Sequence, residues 1–150
     1  MKRSLITFVV LLCSFVSISA STICESLKFK SEILGRDVAY SIYLPDGYDT
    51  STRLYPVLYL LHGWSDNETS WIQLGNMQII VDKAIRSNEA VPMIIVMPDA
   101  KVTWYVNAYD GKDSYEDMFF KELIPEIQKK YRARSDKEFR AVSGLSMGGY

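Results

Sequence analysis

Cysteine is scarce in this sequence. Of the two, Cys13 lies in an apolar leader and Cys24 stands alone after it, so the stretch beyond the leader has no intrachain disulfide. Charge of either sign is not in excess: a formal net charge of -1 offers no electrostatic case for nucleic acid or an acidic membrane surface. No short period recurs and no segment is of low complexity, which excludes solenoids and arrays. Histidine is reduced to His62. Any reaction needing an imidazole base has one candidate within these residues.

The one long hydrophobic run is at the start. Lys2 and Arg3 precede an apolar stretch from Leu5 to Ile18, and small residues follow at Ser19, Ala20 and Ser21. Basic start, apolar centre and small-residue end are the order of a secretory signal peptide. The run is shorter than the roughly 20 residues a membrane-spanning helix requires. Residues 1–20 are therefore expected to be removed after Ala20, leaving a secreted or periplasmic protein with no membrane attachment. Ile23 makes a poor neighbour for lipid attachment at Cys24.

What is there is enough for one domain: 150 residues, 48% hydrophobic and 13% aromatic. "SLKFKSEIL" and "VAYSIYL" alternate polar and apolar residues on either side of "GRD", as in an antiparallel hairpin with one face buried. "YPVLYLLHG" and "VPMIIVMPD" are apolar without alternation, as in strands covered on both faces. Between them Met77, Ile80, Val81, Ala84 and Ile85 recur at helical spacing. A second helical stripe runs through Tyr115, Met118, Phe119, Leu123, Ile127 and Tyr131, with Pro125 expected to kink or restart the helix. "FRAVSGLS" is a last short strand. The alternation predicts an α/β fold: a mostly parallel sheet with helices on its faces and the hairpin as its antiparallel edge. Residues 21–150 hold no linker.

Chemistry concentrates at "GLSMG". Gly144-Leu145-Ser146-Met147-Gly148 fits G-x-S-x-G, in which a strand reverses into a helix and leaves its serine on a strained tip. Side chains at Gly144 and Gly148 would collide with the neighbouring strand and helix. Ser146 is thus the candidate nucleophile, and the backbone N–H of Met147 faces the place where an oxyanion would form. The matching piece is "LLHGW", after the first parallel strand, where Gly63 admits substrate and the Trp64 N–H is the second candidate donor. His62 lies in that loop and is expected to support it. Its alternative role is the base for Ser146, with Asp37, Asp46 or Asp99 as its acid. Triad order in this fold is Ser, Asp or Glu, then His, which puts both partners beyond Tyr150. The sheet is then truncated just after the nucleophile turn, and the 150 residues alone should have little activity.

"YPVLYLLHGWSDNETSW", "IIVMPDA", "SYEDMFFKELIPEIQKKY" and "RAVSGLSMGGY" resemble the esterase D-type group of α/β hydrolases, closest to secreted bacterial feruloyl and acetyl-xylan esterases. The resemblance runs from about Leu27 to Tyr150. It implies an α/β-hydrolase fold, Ser146 as nucleophile, and Trp64 and Met147 as backbone oxyanion donors. It also implies an acyl-enzyme mechanism with no metal and no organic cofactor. The substrate implied is an acylated polysaccharide or oligosaccharide. Trp104, Tyr105 and Tyr109, with Trp64 and Trp71, are candidate contacts for an aromatic acyl group or a sugar ring, with loop packing as their alternative. The rival readings are a relative of S-formylglutathione hydrolase, an acyltransferase, and a non-catalytic carbohydrate-binding descendant.

Overall fold

A computed structural model describes residues 20–150, so the apolar leader lies outside the described residues. Five strands form one sheet in the order β1-β2-β4-β3-β5. They are β1 (Thr22–Ser31), β2 (Arg36–Leu44), β3 (Val57–Leu61), β4 (Ile94–Pro98) and β5 (Arg140–Gly144). β1 and β2 form the antiparallel hairpin, with β2 antiparallel to β4. β3 runs parallel to both β4 and β5. The carboxyl ends of β3, β4 and β5 therefore open onto one edge, and the loops leaving them meet there.

Two layers of helix cover the sheet. On one face lie α3 (Tyr115–Met118), the turn Phe119–Leu123 and α4 (Ile124–Lys130), whose Tyr115, Met118, Leu123 and Ile127 are buried against Tyr40, Ile42, Tyr59 and Val96. On the other, a short α1 (Ser70–Gln73) leads to α2 (Met77–Arg86), which packs on Tyr43, Ile95 and Met97. Each fully buried Ile, Leu or Met contributes roughly 1.5–3 kcal/mol. The unalternating sequence of β4 follows from this: all five of its residues are buried.

The hairpin departs from the sequence expectation of one buried face. β2 is covered on both, with Ser41 and Tyr43 as inaccessible as Tyr40 and Ile42. Tyr43 tolerates this because its hydroxyl donates to Asp82 Oδ1 on α2 at 2.7 Å. The turn itself spans residues 32–35, so of "GRD" only Gly35, at φ 62°, lies in it, and Arg36 and Asp37 already belong to β2. Ile80 also lies outside the core, at 61% exposure. The inward line of α2 is Met77, Val81 and Ile85 at a spacing of four, and Ile80 sits about 100° round the helix from Val81.

Pro125 restarts its helix. Lacking an N–H, it cannot continue the α-helical ladder, and the turn before it widens into a π-turn over Phe119–Leu123. There the Ile124 N–H donates to the Phe119 carbonyl, five residues back. β5, the short strand that ends in the serine turn, lies at the edge of the sheet opposite β1. Its Ala141, Val142 and Ser143 are exposed, because only β3 pairs with it among the described residues.

Candidate active site

Ser146 begins a 3₁₀ turn, Ser146–Gly149, immediately after β5 and Leu145. Its φ of 52° is left-handed, a conformation that costs a non-glycine residue about 1–3 kcal/mol. The surroundings impose it. The Leu145 N–H donates to the Leu61 carbonyl at 3.2 Å, tying the tip to β3, and the Gly148 N–H donates to the Leu145 carbonyl at 2.8 Å. Met147, 1% exposed, plants its side chain in the core and so turns Ser146 outward to solvent.

The glycines leave no room for a side chain. A Cβ on Gly148 would sit 2.7 Å from both Leu61 Cβ and Leu61 O, and 2.9 Å from His62 O. One on Gly144 would meet the Gly148 backbone, with Gly148 Cα at 2.8 Å. The turn therefore packs backbone against backbone across β3. Met147 lies in the first turn of its helix, where N–H groups have no intrahelical partner.

The His62–Trp64 loop leaves β3 beside this turn. A Cβ on Gly63 would lie 3.6 Å from Leu145 O and 3.7 Å from Leu145 Cδ2, so the loop abuts the residue before Ser146. The Trp64 ring contacts Trp104 at 5.8 Å between centroids, and Trp104 contacts Tyr150 at 5.4 Å. That chain of rings joins the loops after β3, β4 and β5 along one rim.

His62 is 2% exposed and both its ring nitrogens are engaged. Nε2 lies 3.0 Å from the Ala100 N–H, which can only donate, so Nε2 accepts. Nδ1, 2.8 Å from the Gly63 carbonyl, must then carry the proton and donate it. This is a neutral imidazole with no free lone pair for a serine proton. Asp99 Oδ1 stands 3.7 Å from Nε2, too far for a hydrogen bond. Burial works against the Asp99 charge, but the Lys101 N–H and the Lys101 ammonium outweigh it and hold the carboxyl below its ordinary range. Asp99 and Asp110 each accept the N–H two residues on, from Lys101 at 2.8 Å and from Lys112 at 3.1 Å. Both form Asx turns.

The aromatic candidates separate. Trp104 is half-exposed on the rim. Tyr105 turns inward, and its hydroxyl accepts from the His62 N–H at 2.8 Å and donates to the His62 carbonyl at 3.2 Å. Burial pushes the Tyr105 phenol above its ordinary range, so it keeps the proton it donates. Tyr109 is entirely exposed, and Trp71 donates from Nε1 to the Leu61 carbonyl at 3.1 Å. A cleft of about 550 Å³ lies beside the turn, lined by Trp104, Val106, Phe120, Val142 and Tyr150 among others. A second cavity of about 610 Å³ opens at the starts of β3 and β5, at the end of the sheet away from Ser146. Sequence reasoning missed the Ala100 amide that holds His62, and behind the site it missed the Tyr115 hydroxyl, which donates to the Asp99 carbonyl at 3.2 Å and not to the His62 main chain. Tyr115 was visible only as a member of the helical stripe, and a backbone donor leaves no residue-type signal.

A mixed sheet, parallel through β4, β3 and β5, with β5 breaking into a glycine-packed serine turn, defines a protein of the α/β-hydrolase fold. Residues 31–150 match the family model described as Putative esterase, and the chain belongs to that family. Among similar curated proteins is an endo-1,4-beta-xylanase/feruloyl esterase of Xylanibacter ruminicola, 38% identical, over 83% of this chain and 18% of that one. An esterase of Mycobacterium tuberculosis is 34% identical over 82% of this chain and 26% of its own. The solved structure of a ferulic acid esterase superposes with a TM-score of 0.81 at 35% identity, covering 87% of this chain and 52% of that one. A feruloyl esterase module from Clostridium thermocellum, complexed with sinapinate, gives 0.72 at 25% identity, over 87% and 47%. The chain thus spans about half the length of these solved structures, and far less of the curated relatives.

Proposed function

We propose that this chain carries the nucleophile and both oxyanion donors of a secreted serine esterase that removes feruloyl or acetyl groups from plant polysaccharide. The observation that carries the reading is Ser146 at φ 52° on a turn packed against the His62–Trp64 loop. Ser146 Oγ attacks the ester carbonyl carbon and gives its proton to a base. The carbonyl π-pair moves onto oxygen, where the Trp64 and Met147 N–H groups receive it. Collapse breaks the bond to the alcohol, which leaves with the proton, and the acyl group stays on Ser146. Water then repeats the sequence and releases the acid. No metal or organic cofactor takes part.

His62 has no lone pair to spare, so the base in this reading comes from outside the 150 residues, which form the N-terminal part of one hydrolase domain. The relatives' greater length supports that division. The apolar leader supports secretion, with cleavage after Ala20. The names of the xylanase/feruloyl esterase and of the ferulic acid esterase support the substrate class. The exposed Trp64 and Trp104 rings, tilted by 48° to one another, supply an apolar surface on the rim that carries Ser146, open to an aromatic acyl group or a sugar.

The test is turnover by the full-length protein. It should hydrolyse p-nitrophenyl acetate and methyl ferulate, and Ser146→Ala should lower kcat by about 10⁴-fold or more. Unchanged turnover in that variant refutes the nucleophile. Comparing methyl ferulate with acetylated xylan separates the two acyl preferences.

A further inference from the structure

The main chain of His62 occupies an unusual joint. Its carbonyl oxygen lies under the serine turn, 2.9 Å from where a Gly148 Cβ would be. Its residue is also two positions before Trp64, the donor on the other side of the proposed oxyanion. Within the described residues the amide and carbonyl of His62 share one hydrogen-bond partner, the Tyr105 hydroxyl. The imidazole is held separately, by Ala100 and Gly63.

The loop after β4 is bent to deliver that hydroxyl. Trp104 and Tyr105 both stand at φ 59°, two successive left-handed residues, neither of them glycine. Their side chains diverge as a result. The Trp104 indole goes outward to Trp64 and Tyr150, and the Tyr105 ring goes inward to lie edge-on against His62 and Tyr115. Backbone strain of this kind persists only where neighbours over-determine it. A flexible connection would hold the rims of the sheet apart equally well without it.

We infer that Tyr105 is a positioning residue for the oxyanion site: its hydroxyl fixes the His62 peptide groups, and through them the distance between the Trp64 N–H and the serine turn. The inference rests on the esterase reading above. The Tyr105 ring borders the cleft beside the serine turn, but its hydroxyl is spent on the His62 main chain, so the effect of removing that hydroxyl belongs to the transition state. Oxyanion donors act by being held in place before charge develops, and a displaced donor loses most of its value while ground-state binding barely changes.

The experiment compares Tyr105→Phe with Tyr115→Phe in the full-length protein, assayed well below either melting temperature. Tyr105→Phe keeps the ring and removes the brace. Tyr115→Phe removes a neighbouring buried hydroxyl that bonds Asp99 and not His62. Expected for Tyr105→Phe is a kcat on p-nitrophenyl acetate about tenfold lower with KM within about twofold. Binding of an aryl trifluoromethyl ketone, a tetrahedral mimic, should weaken by the same factor of about ten. Tyr115→Phe should leave kcat within about twofold. Equal losses in the two variants, or a loss confined to KM, would overturn the assignment. So would unchanged kcat in Tyr105→Phe while the wild type hydrolyses the ester. A wild type without esterase activity would instead overturn the reading on which the inference rests, so the two failures are distinct.

Discussion

The two loops that converge at Ser146 are held by opposite means. The serine turn is held by what it lacks: Gly144 and Gly148 let backbone lie on backbone, and an added carbon would push against the turn itself at Gly144 or against the end of β3 at Gly148. The His62 loop is held by what it has, a buried imidazole, a phenol and a chain of directed hydrogen bonds. The first arrangement is all-or-none, because overlap energy rises steeply with distance. The second loses its hold one bond at a time. Substitutions should therefore act as a threshold in the turn and as a graded series in the loop.

Gly148→Ala is the sharpest way to break that contrast. Its Cβ would meet Leu61 and His62 backbone at 2.7–2.9 Å, with no flexible side chain to yield. Expected is a stability loss of about 2–4 kcal/mol by urea unfolding, with kcat at least about 100-fold lower in whatever remains folded. Wild-type activity would mean that the turn yields where the geometry says it is rigid.

His62→Ala comes next. It strands the Ala100 N–H and the Gly63 carbonyl, each costing about 1–3 kcal/mol when left unpaired. The loop should loosen and esterase activity fall by about tenfold, but Ser146 should still react with a fluorophosphonate probe. A folded variant that takes no probe would restore His62 as the base and end the division between a bracing loop and a reacting turn.

The same contrast explains what sequence could reveal. The turn was legible because its mechanism is written in residue types: glycine, serine and glycine at fixed spacing after an apolar strand. β4 and the Tyr115–Ile127 stripe were legible for the same reason, since burial selects residue type position by position. The grip on His62 was not, because its partners are a backbone amide 38 residues away and a phenol 43 away. Neither distance leaves a local pattern. Tyr105 could be read from sequence as a candidate ring for substrate, while the direction of its hydroxyl depends on two left-handed residues that nothing in "KVTWYVN" requires. Ile80 shows the limit of periodicity: a stripe of apolar residues gives the side of a helix but not how wide a strip the sheet covers.

The smallest effect concerns Asp99, whose carboxyl forms the turn at the start of the loop after β4. Its carboxyl is held below the ordinary 3.8 in the folded protein by the Lys101 N–H and ammonium, so folding favours the charged form. A depressed acid contributes stability above its unfolded value and loses it as pH falls through the folded one. The contribution should hold at neutral pH and fade between about pH 4 and about pH 2, with an upper size of about 2 kcal/mol. Asp99→Asn keeps an acceptor for the Lys101 N–H and removes the titration. Urea midpoints for wild type and variant should differ at pH 7 and converge towards pH 2.5, with esterase activity at pH 7 lowered by no more than about threefold. A gap that stays constant across that range would show that Asp99 acts through its turn geometry alone.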